Sequence, residues 1–407
     1  MRNIFSSWFY IILIIIIVIE VLGFVSVNQF LTKKKKKITV SCIYFSLTVV
    51  YLTLLLYAFI NPERIRLISD YNFYYLVIFL TLLNVFPKLI LSVFYLISLP
   101  FKLKKNNISK IISISGIILG SGMLLVLIYG LTIGRKIIHT EKVKIEIPSL
   151  PVELSGLKII QISDFHLGSF SNSDFIDHIA EKINSLNPDL LFFTGDIVNN
   201  FSTEMDGFEA PLKKMKARYG KFAILGNHDY GDYSKWKSAE QKQKNQLRID
   251  RNIKDAGFIL LRNNAKKIIY NNTPFYIVGV ENWGNPPFPQ YADIEKAMLN
   301  IPDDAFRILL SHDPQYWTSI VVPDTEIPLT LSGHTHGGQF SIKLAGFSFS
   351  PVCFIQKRWK GLYSEGNQYL FVNTGIGCAG FLGRIDMNPE ITVITLMDNG
   401  QWTMDNG

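Results

Sequence analysis

The sequence predicts an α/β domain preceded by a membrane region of about four helices. Two observations support this prediction: the first third of the chain is almost entirely apolar, and the rest alternates short apolar runs with amphipathic stretches. Strands that alternate with helices are typical of α/β domains. A third observation concerns function, because His, Asp and Asn cluster directly after several predicted strands. We therefore divide the chain into a membrane region at 1–134, a linker with the first strand at 135–156, and a main domain at 157–407.

Composition agrees with this division. Of the 407 residues, 48% are hydrophobic and only 18% are charged, which is apolar for a purely soluble protein. The net charge of +8 does not indicate nucleic-acid binding, because many basic residues form short clusters between apolar runs, as topology signals do. The odd count of three cysteines, Cys42, Cys353 and Cys378, predicts neither a disulfide framework nor a zinc ribbon. We expect them to pack as small apolar residues.

Four apolar stretches each reach the roughly 20 residues that a helix needs to cross a bilayer. They lie at 8–27, 38–60, 73–99 and 111–133. A cleaved signal peptide is the alternative interpretation of the first stretch. Its apolar run is long, contains Glu20 and lacks a clear small-residue cleavage site, so a retained anchor is favoured.

Loop charge predicts how the four spans are oriented. The first and third loops carry nine lysines, namely Lys33, Lys34, Lys35, Lys36, Lys37, Lys102, Lys104, Lys105 and Lys110. The second loop has only Arg64 and Arg66, so the lysine-rich loops are expected in the cytoplasm. The sequence thus predicts a multi-pass protein of a bacterial cell membrane whose main domain lies outside the cytoplasm. If one of the four spans did not cross the membrane, the main domain would lie on the cytoplasmic side instead.

Two ionisable residues, Glu20 and Lys88, fall within the first and third spans. Buried charges in a membrane are costly and often functional. Snorkelling to the interface and a kink at Pro87 are alternatives to a functional role. Because these two spans run in the same direction, we expect the residues at similar depth and predict an ion pair between them.

The main domain reads as strands separated by helices. Strands are predicted at 143–147, 157–162, 190–194, 222–225, 307–310 and 329–331. A helix is predicted at 173–186, with Ser173 as its N-cap and Ile176, Ile179 and Ile183 on its inner face. Ligand sites in such sheets gather beyond the carboxyl ends of the strands.

Five of the seven histidines follow these strands: His166, His228, His312, His334 and His336. They alternate with Asp164, Asp196 and Asn227. Any one of these histidines alone would be interpreted as structural, as we interpret His139 and His178. The group as a whole indicates a cation site, because clustered carboxylates repel one another unless cations neutralise them.

These motifs resemble the calcineurin-like metallophosphoesterase family. The family's five blocks occur in order, as Asp164-x-His166, Gly195-Asp196-x-x-Asn199, Gly226-Asn227-His228-Asp229, a lone His312, and Gly333-His334-x-His336. The resemblance covers 143–396, and its last block looks like the membrane-anchored bacterial branch of the family. It implies a sandwich of two mixed β-sheets flanked by helices, and does not extend to the membrane region.

The resemblance also implies the ligands of two divalent metal ions. Asp164, His166 and His336 would hold one ion, Asn227, His312 and His334 the other, and Asp196 would bridge them. Such nitrogen and oxygen ligands suit manganese, the expected metal, with iron, zinc and nickel left open. Two such ions would activate a water for in-line attack on the phosphorus.

Further residues receive roles from the same resemblance. His228 is the expected acid for the leaving group, with Asp229 orienting its ring. Gly337 and Gly338 would let the backbone approach the phosphate, although a plain turn explains them almost as well. Arg384 resembles a position near the substrate.

The sequence therefore predicts a membrane-bound phosphoesterase that cleaves phosphodiester or pyrophosphate bonds, with a lipid-linked or envelope phosphoester as substrate. One alternative is a cytoplasm-facing pyrophosphatase for nucleotide-linked lipids of the UDP-diacylglucosamine type. An alternative of another class is a binding or sensor module that holds metal without turnover. That alternative is disfavoured because such modules lose ligands and every ligand is present here. The sequence does not predict the oligomeric state.

Overall fold

The computed structural model describes residues 2–60, 68–284, 286, 288–344 and 347–398. Two compact units can be separated, one containing the helices up to Thr132 and the other the chain from Ile133 onward.

The first unit consists of the four predicted membrane helices. They are α1 (Arg2–Asn28), α2 (Lys34–Ile60), α3 (Ile68–Leu103) and α4 (Ile108–Thr132). Each is long and apolar enough to cross a membrane. The prediction of four apolar helices is confirmed, although α3 extends further at both ends than expected and continues through Pro87 and Pro100. The second loop, with Arg64 and Arg66, lies outside the described residues.

The predicted ion pair between Glu20 and Lys88 is confirmed. The Lys88 Nζ atom lies 2.8 Å from Glu20 Oε2, and the Glu20 side chain is buried. Thr48 on α2 donates to the same carboxylate at 2.7 Å, and Asn84 on α3 donates to its other oxygen. Polar groups of α2 and α3 thus satisfy a charge on α1 that would otherwise be costly in hydrocarbon.

Close packing between α3 and α4 depends on small residues that the sequence interpretation did not use. A Cβ atom at Gly116 would lie 2.5 Å from Phe94 Cβ, and one at Gly120 would lie 3.1 Å from the Pro87 carbonyl oxygen. Glycines four residues apart let membrane helices approach closely. The Gly116-x-x-x-Gly120 spacing is the signal that could have predicted this contact.

The described residues of the second unit form fourteen strands and six α-helices, besides several single turns of 3-10 helix. The strands are β1 (His139–Glu146), β2 (Lys158–Ile162), β3 (Leu190–Phe193), β4 (Lys221–Ala223), β5 (Phe258–Leu260), β6 (Asn264–Tyr270), β7 (Thr273–Gly279), β8 (Arg307–Leu310), β9 (Leu329–Ser332), β10 (Ile342–Leu344), β11 (Phe347–Phe349), β12 (Gly361–Glu365), β13 (Gln368–Val372) and β14 (Glu390–Met397). The helices are α5 (Asp174–Ser185), α6 (Glu209–Lys214), α7 (Ala239–Asp255), α8 (Ile294–Ala297), α9 (Pro314–Tyr316) and α10 (Val322–Asp324).

Two mixed six-stranded sheets form the centre of this unit, as the resemblance implied. Their strand orders are β1-β14-β2-β3-β4-β5 and β12-β13-β9-β8-β7-β6, and β10 and β11 form a separate hairpin. In the first sheet β2, β3 and β4 are parallel neighbours, and in the second β7, β8 and β9 are. Antiparallel partners such as β14 on β2 and β6 on β7 make both sheets mixed.

Apolar side chains from both sheets form one core between them, including Ile159, Phe192 and Leu331. The outer face of the first sheet packs against α5, whose Ile176, Ile179 and Ile183 are buried as their spacing predicts. The helix begins at Asp174 with Ser173 at the N-cap position, as predicted, and the Ser173 side chain makes no capping bond. The sheets thereby hold the carboxyl ends of β2, β3, β4, β8 and β9 in fixed positions.

Candidate active site

All seven predicted metal ligands lie in loops that leave the carboxyl ends of neighbouring parallel strands. Asp164 and His166 follow β2, Asp196 follows β3, and Asn227 lies beyond β4, while His312 follows β8 and His334 and His336 follow β9. Parallel strands deliver their loops to one edge of a sheet. The two sheets therefore bring side chains that are up to 172 positions apart in the chain, from Asp164 to His336, into one cluster.

One group contains Asp164, His166 and His336. The Nε2 atoms of the two histidines lie 3.0 Å apart, and His336 Nε2 is 3.3 Å from Asp164 Oδ1. All three side chains are buried.

Burial lowers the pKa of His166 to about 3 and lowers that of His336 as well. Both imidazoles are therefore neutral, which is the form that binds metal ions.

The other group contains Asn227, His312 and His334. Asn227 Oδ1 lies 2.8 Å from His334 Nδ1 and 3.1 Å from His312 Nε2. Asp196 lies between the two groups, because its Oδ2 atom is 3.1 Å from His312 Nε2 and 3.6 Å from His166 Nε2. This is the placement that a bridging carboxylate requires.

Oxygen atoms surround the His312 ring in this second group. His312 Nδ1 donates to the Thr194 carbonyl oxygen at 2.7 Å, which leaves its Nε2 atom facing oxygens of Asp196 and Asn227. The Asn227 amide donates instead to Tyr233 Oη at 2.8 Å, so its Oδ1 atom is the one that faces the histidines. Burial alone lowers the pKa of His312, but the Asp196 carboxylate raises it to about 10. The surroundings thus favour a positive charge at this point.

The backbone of these loops is unusual. Five of the seven candidate ligands, Asp164, His166, Asp196, His334 and His336, have φ angles between 42° and 73°. The left-handed region is unfavourable for most residues with a side chain, and residues held in it against that preference cluster at functional sites. The sheets hold these residues there, which brings their side chains together at the edge of the sandwich.

Two glycines of the motifs are required by close approach. A Cβ atom at Gly226 would collide with the Asp196 carboxylate, and one at Gly333 would collide with Ser163 and Asp164. Each glycine therefore lies directly behind a candidate ligand, which explains why the motifs place a glycine next to Asn227 and His334.

These residues fit a pair of divalent cations. Four imidazoles, two carboxylates and one amide oxygen present acceptor atoms to one another, and a cation between them removes the repulsion among those lone pairs. The donor set contains no thiolate, so it suits manganese, iron, zinc or nickel.

His228 lies beside the cluster, and one prediction about its neighbour is wrong. His228 Nδ1 donates to the Asn199 carbonyl oxygen at 2.9 Å, and its ring contacts the His166 ring. We expected Asp229 to orient this ring. The Asp229 carboxylate instead accepts four backbone N–H groups, those of Asp196, Ile197, Val198 and Gly226. A buried carboxylate collects such donors because it must be satisfied, so Asp229 joins two ligand loops.

The expectation that Arg384 contacts phosphate is also corrected. Its side chain is fully buried, and it donates to the carbonyl oxygens of Thr374, Gly377 and Met387 at 2.6–3.0 Å. Its Nη2 atom lies 3.3 Å from His336 Nδ1. Arg384 therefore braces the outer side of a candidate ligand, and its side chain has no exposed surface in the structure.

Gly337 and Gly338 form the plain turn that was the alternative interpretation. Both have positive φ angles, of 57° and 68°. Their N–H groups donate to the Thr335 hydroxyl and carbonyl oxygens, so these groups are already engaged.

The remaining two histidines are placed as structural residues, since His139 pairs with Glu141 and His178 bonds the Asp174 carbonyl on α5.

Two residues that hold the site were missed in the sequence. The Tyr233 ring packs 4.6 Å from the His228 ring while its hydroxyl orients Asn227. Glu204 is buried and accepts the backbone N–H groups of Gly168, Asn199, Asn200 and Phe201. The one indication of the Glu204 contacts in the sequence was Asn199, a motif residue to which no role had been assigned.

Known sequence signatures match both parts of the chain. The signature described as "Calcineurin-like phosphoesterase" matches residues 157–338. A second, described as "Probable Calcineurin-like phosphoesterase, transmembrane domain", matches residues 1–135. The transmembrane signature covers the same segment as the four apolar helices, which makes the chain a membrane protein.

Individual proteins similar to this chain are also named as metallophosphoesterases or phosphodiesterases. An uncharacterized metallophosphoesterase of Bacillus subtilis, YkuE, is 31% identical over 264 residues, which cover 64% of this chain and 85% of that protein. The phosphodiesterase YaeI of Escherichia coli is 32% identical over 59% of this chain and 82% of its own length. A zebrafish transmembrane protein with a metallophosphoesterase domain is 29% identical over 66% of this chain, which spans 60% of that protein.

Proposed function

The chain belongs to the calcineurin-like metallophosphoesterase family and is a metal-dependent phosphoesterase, and from this premise we propose that it hydrolyses phosphodiester or pyrophosphate bonds of a lipid-linked or envelope substrate. The observation that carries the proposal is the convergence of the seven candidate ligand side chains at one edge of the sandwich. Asp164, His166 and His336 would hold one divalent ion and Asn227, His312 and His334 the other, with Asp196 shared between them.

The chemistry supplied by two divalent cations is activation of water and neutralisation of the phosphoryl oxygens. The chain contributes the orientation of the ligands. Carbonyl oxygens fix the rings of His228 and His312 through their Nδ1 atoms, which leaves each Nε2 atom directed toward the site. Asn227 is a neutral ligand, so two metal ions keep the net charge of the site positive and favourable for an anionic phosphoester.

His228 is the proposed acid for the leaving group. Its ring is half-buried at the edge of the cluster, and its backbone N–H donates to Asp196 Oδ1 at 2.8 Å. Its Nδ1 atom is held by the Asn199 carbonyl, so the Nε2 atom is the one available to protonate a leaving oxygen.

The membrane region supports the choice of substrate. Four apolar helices hold the catalytic unit at a bilayer, where phosphoesters of lipids and envelope polymers are the substrates at hand. The lysine distribution in the loops supports a multi-pass protein of a bacterial cell membrane with its active site outside the cytoplasm.

The test is hydrolysis of bis(p-nitrophenyl) phosphate by the purified full-length protein after removal and return of divalent ions. We expect turnover that is lost with chelator and restored by manganese, iron, zinc or nickel. Protein that binds these ions and yet hydrolyses neither this diester nor a p-nitrophenyl monoester would contradict the proposal and favour a binding module.

A further inference from the structure

An exposed apolar patch lies on the segment that follows the metal-ligand loop. It consists of Ile342, Phe349, Phe354 and Ile355, whose side chains are 50%, 47%, 81% and 81% exposed. Phe354 and Ile355 are the most exposed large apolar residues described from Ile133 onward. The Phe349 and Phe354 rings contact each other, with centroids 5.8 Å apart, so the patch is contiguous. Apolar patches of this kind mark interaction surfaces.

Basic side chains surround this apolar patch. Lys343 is 64% exposed within the hairpin of β10 and β11, and Lys357 is exposed just beyond Ile355. Arg358 follows, with its guanidinium over the Trp317 ring. Acidic groups near the patch are Asp386, 3.3 Å from Lys343, and Glu365, 3.4 Å from Arg358. Aromatic and aliphatic tips flanked by lysine match the bilayer interface, where anionic head groups attract the bases and the apolar side chains enter the acyl boundary.

The same segment is bonded directly to the candidate ligand loop. Thr335, between His334 and His336, donates through its hydroxyl to the Trp359 carbonyl at 2.7 Å. The Ser350 hydroxyl donates to the Gly337 carbonyl at 3.0 Å. These two bonds place the segment that carries the patch beside the ligand loop.

We propose that the apolar patch inserts into the interface of a bilayer that contains anionic phospholipid, and that this contact places the active site at the head-group layer. The inference rests on the proposed function and narrows it, because an active site held there acts on the phosphoester of a membrane lipid. A bilayer is the expected partner of the patch, since the four apolar helices of the same chain anchor the catalytic unit to a membrane.

The test compares two esters with the same leaving group. Full-length protein is reconstituted into vesicles of phosphatidylcholine and phosphatidylglycerol. One substrate is soluble bis(p-nitrophenyl) phosphate, and the other is the p-nitrophenyl ester of dioleoyl phosphatidic acid in the same vesicles. The variant carries Phe354→Asp and Ile355→Asp together. The control is Leu299→Asp, which places one such carboxylate at a side chain that is 70% exposed outside the patch.

We expect the double variant to lose about tenfold or more of its rate on the lipid ester, because two large side chains leave the interface. It should keep the wild-type rate on the soluble ester, and Leu299→Asp should keep both rates. Equal rates of the double variant and the wild type on the lipid ester would overturn the inference. If the wild-type protein hydrolyses neither ester, it is the proposed function that has failed.

A second measurement is independent of turnover. A nitroxide attached at Phe354→Cys, with Cys42 and Cys353 replaced by serine, is probed with oxygen and with a nickel chelate in the same vesicles. The inference predicts strong access for oxygen and weak access for the chelate, and the reverse at Leu299→Cys. Access for the chelate at residue 354 would overturn the inference, as would shielding from both reagents, which would mean that protein covers the patch.

Discussion

His228 offers a residue-scale prediction that separates an acid from a metal ligand. His228→Ala should slow hydrolysis of an alkyl phosphodiester by about 100- to 10,000-fold, since this variant lacks the proposed proton donor for the leaving oxygen. Metal content, measured by elemental analysis, should stay near that of the wild type. The loss should shrink with a p-nitrophenyl ester, because that leaving group needs no proton. Loss of metal from this variant would mean that His228 is a ligand instead.

At the same scale, the sequence predicted which residues form the candidate metal site, but it did not predict the hydrogen-bond partners of all the residues around that site. Five motif blocks predicted which His, Asp and Asn side chains come together, because the carboxyl ends of parallel strands must meet. The neighbours of Asp229 and Arg384 could not be read in this way. Both are buried charges that take backbone partners from distant loops, and a linear sequence does not reveal which carbonyl or N–H group will be free there.

Arg384 provides a prediction about a loop, because it ties the segment from Thr374 to Met387 to the outer side of His336. Arg384→Met should weaken metal binding by about 10- to 100-fold, which is typical of residues behind a metal ligand. In metal-saturated protein, KM for bis(p-nitrophenyl) phosphate should stay unchanged. Titration with manganese followed by kinetics measures both quantities.

The matched control is the exposed Arg218→Met, which should alter neither metal binding nor KM. A raised KM at full metal occupancy in Arg384→Met would restore the original expectation that this arginine contacts phosphate.

Helices and strands were predictable where apolar spacing is strong. α5 shows the expected buried face, and the four membrane helices follow from length and composition. The hairpin of β10 and β11 was not predicted, because Ile342 and Phe349 are exposed and such residues carry no burial signal. The spacing of Gly116 and Gly120 could have predicted that α4 packs closely against another helix. It does not show which residue of that helix, here Phe94 on α3, lies opposite the glycines.

For the whole molecule, the prediction with the widest consequence is the side of the membrane on which the catalytic unit lies. Nine lysines in the first and third loops, against two arginines in the second, predict an active site outside the cytoplasm. Reporter pairs that are active only inside or only outside the cytoplasm, fused after Asn107 and after Gly407, measure this. We expect a cytoplasmic signal at Asn107 and an extracytoplasmic signal at Gly407.

Cytoplasmic signals at both positions would contradict this orientation. They would then favour a pyrophosphatase for nucleotide-linked lipids, since such substrates are made in the cytoplasm. The basic residues Arg135, Lys136, Lys142 and Lys144 are the features that would explain such a result.

The central claim is that one carboxylate, Asp196, joins two metal sites into a single catalytic centre. The most direct measurement is metal stoichiometry together with turnover of bis(p-nitrophenyl) phosphate in the full-length wild type and in Asp196→Asn. We predict two divalent ions per chain and metal-dependent turnover in the wild type, and loss of both in the variant, whose fold is checked by thermal unfolding. Wild-type turnover or two retained ions in a folded Asp196→Asn protein would contradict the account.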